Sequence, residues 1–424
     1  MNSSKNRWLI ALCAVLLHLC IGSAYAWSVF AKPLSTKFGW SATDVAFTFS
    51  LAIALLGISA AFLGHFVERR GPRVAGTTAS IFFGAGVALS GLAVHLGSLY
   101  LLYLTYGIIA GIGLGIGYIA PVSTLVKWFP DRRGMATGMA VFGFGAGSLV
   151  TGPIAAKLIQ TVGISGTFYI LGAAYFIVMF SVSQYLAPPA REWTPPVPAS
   201  QQRRAVSRDL SQLTANEAVR TKRFWMLWVM LFINVSAGIM LISQASPMAQ
   251  EKVGMSAIAA AAVVGAMGLF NGGGRIVWAS ASDWVGRPNI FTFFFLLQLI
   301  AFLYMPSLHQ ALLFEILLFA IISCYGGGFA SIPAYIGDLF GTKQLGAIHG
   351  YILTAWSAAG IVGPMVVAAI KDATKSYDAT FYVFAGLLAV ALAVSLWIRL
   401  EIRVLRQANE SQPTHTNPIS SAEN

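Results

Sequence analysis

Apolar residues in this chain run in unbroken stretches, and charged ones gather in short knots between them. The stretches do not alternate with a period of two, which excludes a transmembrane β-barrel. Each is 18 to 25 residues long, enough to cross roughly 30 Å of hydrocarbon as a helix. The pattern predicts spans over 8–31, 45–66, 74–94, 99–121, 135–157, 164–187, 224–248, 258–280, 289–306, 309–333, 346–370 and 378–399. Lys5 and Arg7 before the first stretch, and Ala24-Tyr25-Ala26 within it, resemble the parts of a signal peptide. The stretch continues through Trp27, Val29 and Phe30, so it is read as a retained span.

The spans fall into two repeats. Glu68-Arg69-Arg70-Gly71 after the second is echoed by Asp283-Trp284-Val285-Gly286-Arg287 after the eighth. Pro121, Gly134 and Gly138 recur as Pro333, Gly346 and Gly350, and Gly152-Pro153 as Gly363-Pro364, all at offsets of 211 to 215 residues. The expected fold is therefore an all-α membrane protein of twelve transmembrane helices in two pseudo-symmetric six-helix bundles. The bundles are expected at 1–187 and 223–406, with a cytoplasmic connector at 188–222 and a disordered tail at 407–424. The connector begins with Pro188, Pro189, Pro195, Pro196 and Pro198, and an amphipathic segment near Leu210–Val219 is expected to lie at the membrane interface.

Composition agrees with the pattern. Of 424 residues, 57% are apolar and 10% charged, with a mean hydropathy of +0.72, whereas a soluble domain carries about a quarter of its residues charged. The 42 glycines suit close helix packing. The formal charge of +12 raises the question of a nucleic-acid partner, which its distribution answers. With the N-terminus inside, one side receives Lys5, Arg7, Arg69, Arg70, Arg73, Lys127, Arg132, Arg133, Arg287, Lys343, Arg399, Arg403 and Arg406, plus six in the connector and Arg223 just after it, making 20. The other side receives six: Lys32, Lys37, Lys157, Lys252, Lys371 and Lys375. This places both termini and the connector in the cytoplasm, in a multi-pass protein of a bacterial inner membrane, with no nucleic-acid partner. Cys13, Cys20 and Cys324 sit in apolar stretches as packing residues.

Arg275 is the remaining basic residue, and it lies inside a predicted span. An unpaired arginine in lipid costs on the order of 3 kcal/mol or more. It must snorkel to the interface or face a polar cavity. Gly272-Gly273-Gly274 before it favour the cavity, by allowing close backbone approach or local unwinding. The guanidinium fork matches a carboxylate bidentately, and Asn271, one turn earlier, shares its helix face. Tyr25, Trp27, Tyr118, Tyr325 and Trp356 are candidate walls of a small pocket. His18 in the first span and Glu315 in the tenth are candidate proton-coupling groups. No phosphate loop, metal cluster or nucleophile constellation is present, so no enzyme, ATP-driven pump, cofactor or metal is expected.

The stretch Gly64-His65-Phe66-Val67-Glu68-Arg69-Arg70-Gly71-Pro72-Arg73 resembles the signature loop of the major facilitator superfamily. The resemblance implies conformational gating by Glu68, Arg69, Gly71 and Arg73, and by Asp283, Gly286 and Arg287 in the second repeat. Four further segments resemble the oxalate/formate antiporter family, a relative of the monocarboxylate transporters: Tyr25-Ala-Trp27-Ser-Val-Phe, Trp128-Phe-Pro-Asp-Arg-Arg-Gly134, Asn271-Gly-Gly-Gly-Arg275 and Thr354-Ala-Trp356. That implies a substrate-binding arginine at Arg275. The family's lysine in the eleventh span is replaced by Trp356, and no lysine occurs between Lys343 and Lys371. Where monocarboxylate transporters carry an aspartate, this chain has Asn271. The first departure favours one carboxylate over two; the second leaves Arg275 an unpaired cation awaiting an anion, which favours exchange or a proton carried elsewhere. The expectation is a secondary transporter of small organic anions, of the formate, lactate or pyruvate type, exchanging anions or moving protons, and working as a monomer. An oxalate/formate exchanger, a carrier of an unrelated small molecule and a membrane sensor retaining the fold are the alternatives.

Overall fold

A computed structural model describes residues 5–40, 42–190, 193 and 209–411. Its helices are α1 (Arg7–Gly22), α2 (Ser28–Phe38), α3 (Ala42–His95), α4 (Leu99–Leu102), α5 (Gly111–Trp128), α6 (Arg133–Ser183), α7 (Ala215–Val219), α8 (Lys222–Val253), α9 (Ala257–Val285), α10 (Arg287–Tyr304), α11 (Ala311–Phe340), α12 (Leu345–Thr374) and α13 (Asp378–Ser411). Among the described residues, nine helical stretches are long and apolar enough to cross a membrane. Two of them, Phe47–His95 with 49 residues and Arg133–Tyr185 with 53, would each be more than 70 Å long if straight, roughly twice a bilayer core. Each is broken where the chain must reverse. Gly71 (φ 80°) divides α3 and Gly163 (φ 75°) divides α6, conformations that only glycine adopts cheaply.

Several expected boundaries change. The first span ends as an α-helix at Gly22, passes through a 3-10 turn at Ser23–Ala26, and restarts as α2. At one end of the molecule the helices outrun the apolar stretches: α9 continues to Val285 and α11 to Phe340. Large apolar side chains on the outer faces, among them Phe62, Ile177, Leu269, Ile300 and Val390, are exposed, as a lipid-facing surface requires. The two repeats meet along two seams, α3 against α12 and α6 against α9.

Connector residues 191–192 and 194–208 and tail residues 412–424 lie outside the described residues. The expected amphipathic segment is instead a non-helical run from Asp209 followed by the one-turn α7. Leu210 and Leu213 donate their amides to the carbonyls of Asp338 and Phe340, and Ser211 Oγ donates to that of Leu339. These bonds satisfy carbonyls that the end of α11 leaves unpaired. Thr214 and Glu217 form a capping box at the start of α7, and the Thr214 amide and hydroxyl hold the Glu217 carboxyl below its usual range.

Candidate functional site

Arg275 is central to the molecule. It is ten residues from the end of α9, about 15 Å by helix rise rather than half that distance as its predicted span implies. Its side chain is 1% exposed, so it does not snorkel. Nη1 donates to the Val141 carbonyl of α6 at 3.2 Å, and Nε to Asn271 Oδ1 at 3.3 Å. The guanidinium carbon lies 5.4 Å from the centre of the Phe329 ring, and the hydroxyls of Tyr25, Tyr118 and Tyr325 feel its field. Among the described residues no carboxylate lies within ion-pair distance of it. All its partners are neutral.

The glycines before it do not unwind the helix. Gly274 lets α9 pack against the Ser323 backbone of α11, leaving no room for a Cβ, while Gly273 faces open space. Of the two roles expected, close approach is the one observed. Across the α6–α9 seam Gly145 faces the guanidinium, 3.8 Å from Nε to where a Cβ would stand.

An aromatic wall closes the site. Tyr118 packs edge-on to Phe144 at 5.6 Å and to Phe329 at 5.8 Å, Trp356 lies 5.2 Å from Phe329 and 6.2 Å from Phe144, and Tyr25 meets Phe144 at 4.9 Å. Four candidate residues from the sequence, Tyr25, Tyr118, Tyr325 and Trp356, therefore gather around Arg275. Trp27 does not. Its ring packs on Phe30, Tyr106 and Phe168 and its Nε1 donates to the Val45 carbonyl, inside the first repeat. Glu315 is half-buried in the second turn of α11, ten residues and about 15 Å of helix from Tyr325.

Three residues of this wall escaped the sequence reading. Phe329 stands one turn after Tyr325 and so shares its face, a signal that was available. His349 was also visible, as a histidine within a predicted span. Phe144, within a glycine-rich run, gave none. His349 Nδ1, Tyr118 Oη and Trp356 Nε1 are buried without a hydrogen-bond partner among the described residues. His18 has two carbonyl partners: Nδ1 is 2.8 Å from Ala140 O and Nε2 3.1 Å from Tyr118 O. Its ring lies 5.2 Å from that of Tyr118, which lies 5.7 Å from that of His349.

The charged loops join the repeats at the end where α9 and α11 protrude. Glu68 accepts the Gly346 amide at the start of α12 at 2.6 Å and pairs with Lys127 at 2.7 Å. Its counterpart Asp283 accepts the amides of Gly134 and Met135 at the start of α6, at 2.8 and 2.9 Å, and pairs with Arg287. Each repeat thus caps a helix of the other with a carboxylate, where the helix dipole favours negative charge. Arg287 pairs with Asp338 at 3.2 Å, and Arg133 with Asp338 at 3.1 Å and Asp209 at 2.6 Å. Gly71 and Gly286 adopt positive φ at the two turns. Arg73 binds Gln184 within its own repeat at 2.9 Å, and Arg69 is exposed, so these two do not join the repeats.

Comparison with known proteins gives this architecture a family. A model of the Major Facilitator Superfamily matches residues 10–364. The chain is 30% identical over 365 residues to the uncharacterized MFS-type transporter YhjX of Escherichia coli (strain K12), covering 85% of this chain and 87% of that one. It is 28% identical over 398 residues to the oxalate:formate antiporter of Oxalobacter formigenes, covering 93% and 91%. Among solved structures it resembles the transporter FucP in the outward conformation, with a TM-score of 0.70 at 15% identity over 92% of this chain and 98% of that one. The chain belongs to the Major Facilitator Superfamily.

Proposed function

We propose that this protein is a secondary transporter of small organic anions, monocarboxylates of the formate, lactate or pyruvate type, working by alternating access. Secondary transport of small organic molecules follows from the superfamily. The anion follows from one observation: Arg275 is buried between the repeats with neutral partners only. A desolvated cation in that position is relieved by a ligand of opposite charge. Similarity to an oxalate:formate antiporter supports a carboxylate, whereas Trp356 in the wall supplies an indole and no second cation for a dianion.

Counting α3 and α6 as two crossings each, and adding α9, brings the nine apolar stretches to twelve, two bundles of six. The excess of basic residues makes the carboxylate-capped end the cytoplasmic one, in an inner membrane.

Uptake into proteoliposomes tests this reading. Labelled formate, lactate, pyruvate and oxalate are offered with and without a proton gradient or internal counter-anion. A monocarboxylate should accumulate, and Arg275→Ala should lower its uptake at least about a hundredfold, as expected for losing a buried charge-assisted pair. Undiminished uptake by that variant would sink the anion site.

A further inference from the structure

His18 has no exposed surface, and both its ring nitrogens face backbone carbonyls, Ala140 O at 2.8 Å and Tyr118 O at 3.1 Å. A neutral imidazole carries one N–H. Whichever nitrogen holds it, the other turns a lone pair toward a carbonyl oxygen at hydrogen-bond distance. Only the imidazolium donates to both. The geometry of α5 and α6 is therefore that of a site for a second proton.

That proton meets two opposing effects. Burial disfavours an unpaired charge, and Arg275 is a like charge within electrostatic reach. The two cations hang on adjacent peptide groups of α6, since Ala140 O faces His18 and Val141 O accepts from Arg275. The other groups facing His18 are Tyr118 of α5 and His349 of α12. From α6 the ring meets Phe144 and the Ala140 carbonyl. None of these is a carboxylate.

We infer that His18 is the proton site of this carrier and is linked to the anion site, so that a carboxylate bound at Arg275 brings one proton onto His18. This rests on the anion reading of Arg275. The bound anion cancels the repulsion, and the carbonyl pair then holds the imidazolium. By reciprocity the proton strengthens anion binding by the same factor. The proton comes from the water on whichever side the site faces, adds to the ring nitrogen that lacks one, and leaves to water on the other side with the anion. Proton and anion move together, in keeping with an Arg275 that has no aspartate beside it.

Calorimetric titration of the purified protein with pyruvate and with formate, in two buffers of different ionisation enthalpy at pH 7, counts protons taken up per anion bound. The wild type should take up close to one, and its Kd should weaken by up to about tenfold per pH unit between pH 6 and 8. His18→Gln should bind more weakly, with uptake near zero and a flat pH dependence. If it does not fold, His18→Asn, which keeps a donor toward Ala140, replaces it. Binding that requires Arg275 but takes up no proton overturns the linkage and leaves the anion site standing. Uptake that survives in His18→Gln and vanishes in His349→Gln overturns the assignment to His18. Absence of binding by the wild type, or binding indifferent to Arg275→Ala, overturns both proposals.

Discussion

At the scale of single residues, the site turns on what stands opposite Arg275. Trp356 is buried in the aromatic wall, with Nε1 lacking a hydrogen-bond partner among the described residues. Replacing it with lysine removes ring volume and adds a second cation on the far side of Phe329 from the first, a change in both the space and the charge at the site. Trp356→Lys is expected to lower pyruvate uptake and raise the oxalate-to-pyruvate uptake ratio by about tenfold, a shift of roughly 1.4 kcal/mol in discrimination. An unchanged ratio counts against selection by size and charge. Arg275 was legible in the sequence because a cation inside an apolar stretch demands an explanation. Its grip on the Val141 carbonyl was not, because that contact exists only once α6 lies against α9. Trp27 failed for the converse reason: its place near Tyr25 in the chain says nothing of the 3-10 turn that directs it toward Tyr106.

At the scale of elements, apolar length located the helices but misjudged their ends. Asp283 and Asp338 lie beyond the predicted spans yet within α9 and α11, because a helix end can carry charge once carboxylates and guanidinia of a neighbouring element pair with it. The connector shows the same limit. Its composition marked a linker, while its last residues cap α11 and direct Asp209 onto Arg133 of the other repeat. Asp209 is therefore a fourth acidic group holding the repeats together at this end, alongside Glu68, Asp283 and Asp338. Asp209→Asn leaves Arg133 with Asp338 alone and should loosen that end. Maleimide labelling of Ser282→Cys, a buried position beside Gly134, reports it on a background with Cys13, Cys20 and Cys324 replaced by serine. The rate should rise about three- to tenfold, on the order of 1 kcal/mol for one partly exposed ion pair. An unchanged rate would make the connector contact incidental to opening.

For the whole molecule, the spacing of the repeats sets the conformation observed. Along α6 the fit against α9 is tightest at Gly134 and Gly138, where a Cβ has no room at the first and would lie 2.6 Å from the Arg275 carbonyl at the second. Two turns further, Gly145 stands 3.8 Å from Arg275 Nε, and at Gly152 no atom of the other repeat is among its nearest neighbours. In the second seam Gly350 has no space for a Cβ against the Ala60 backbone, Gly57 is still pressed against Ser357 Oγ, and contact loosens only at Gly360, 3.9 Å from Ile53. Both seams are closed at the carboxylate-capped end, and the α6–α9 seam slackens sooner toward the opposite one. The same glycines that revealed the repeat, 212 residues apart, thus make close contact possible at one end. Under the proposed alternating access, the repeats must separate there, because packed interfaces open as units instead of deforming gradually. A side chain at Gly350 should hold this end apart. Gly350→Leu is expected to reduce uptake more than about tenfold and to raise labelling of Ser282→Cys. Gly386→Leu, at an exposed glycine with nothing within 4 Å, should transport near the wild-type rate. Rapid uptake by Gly350→Leu would mean that closure of this seam is not a step in the cycle. If uptake is lost without the gain in labelling, the closed state has been damaged rather than the opening favoured, and the seam's role as a gate fails.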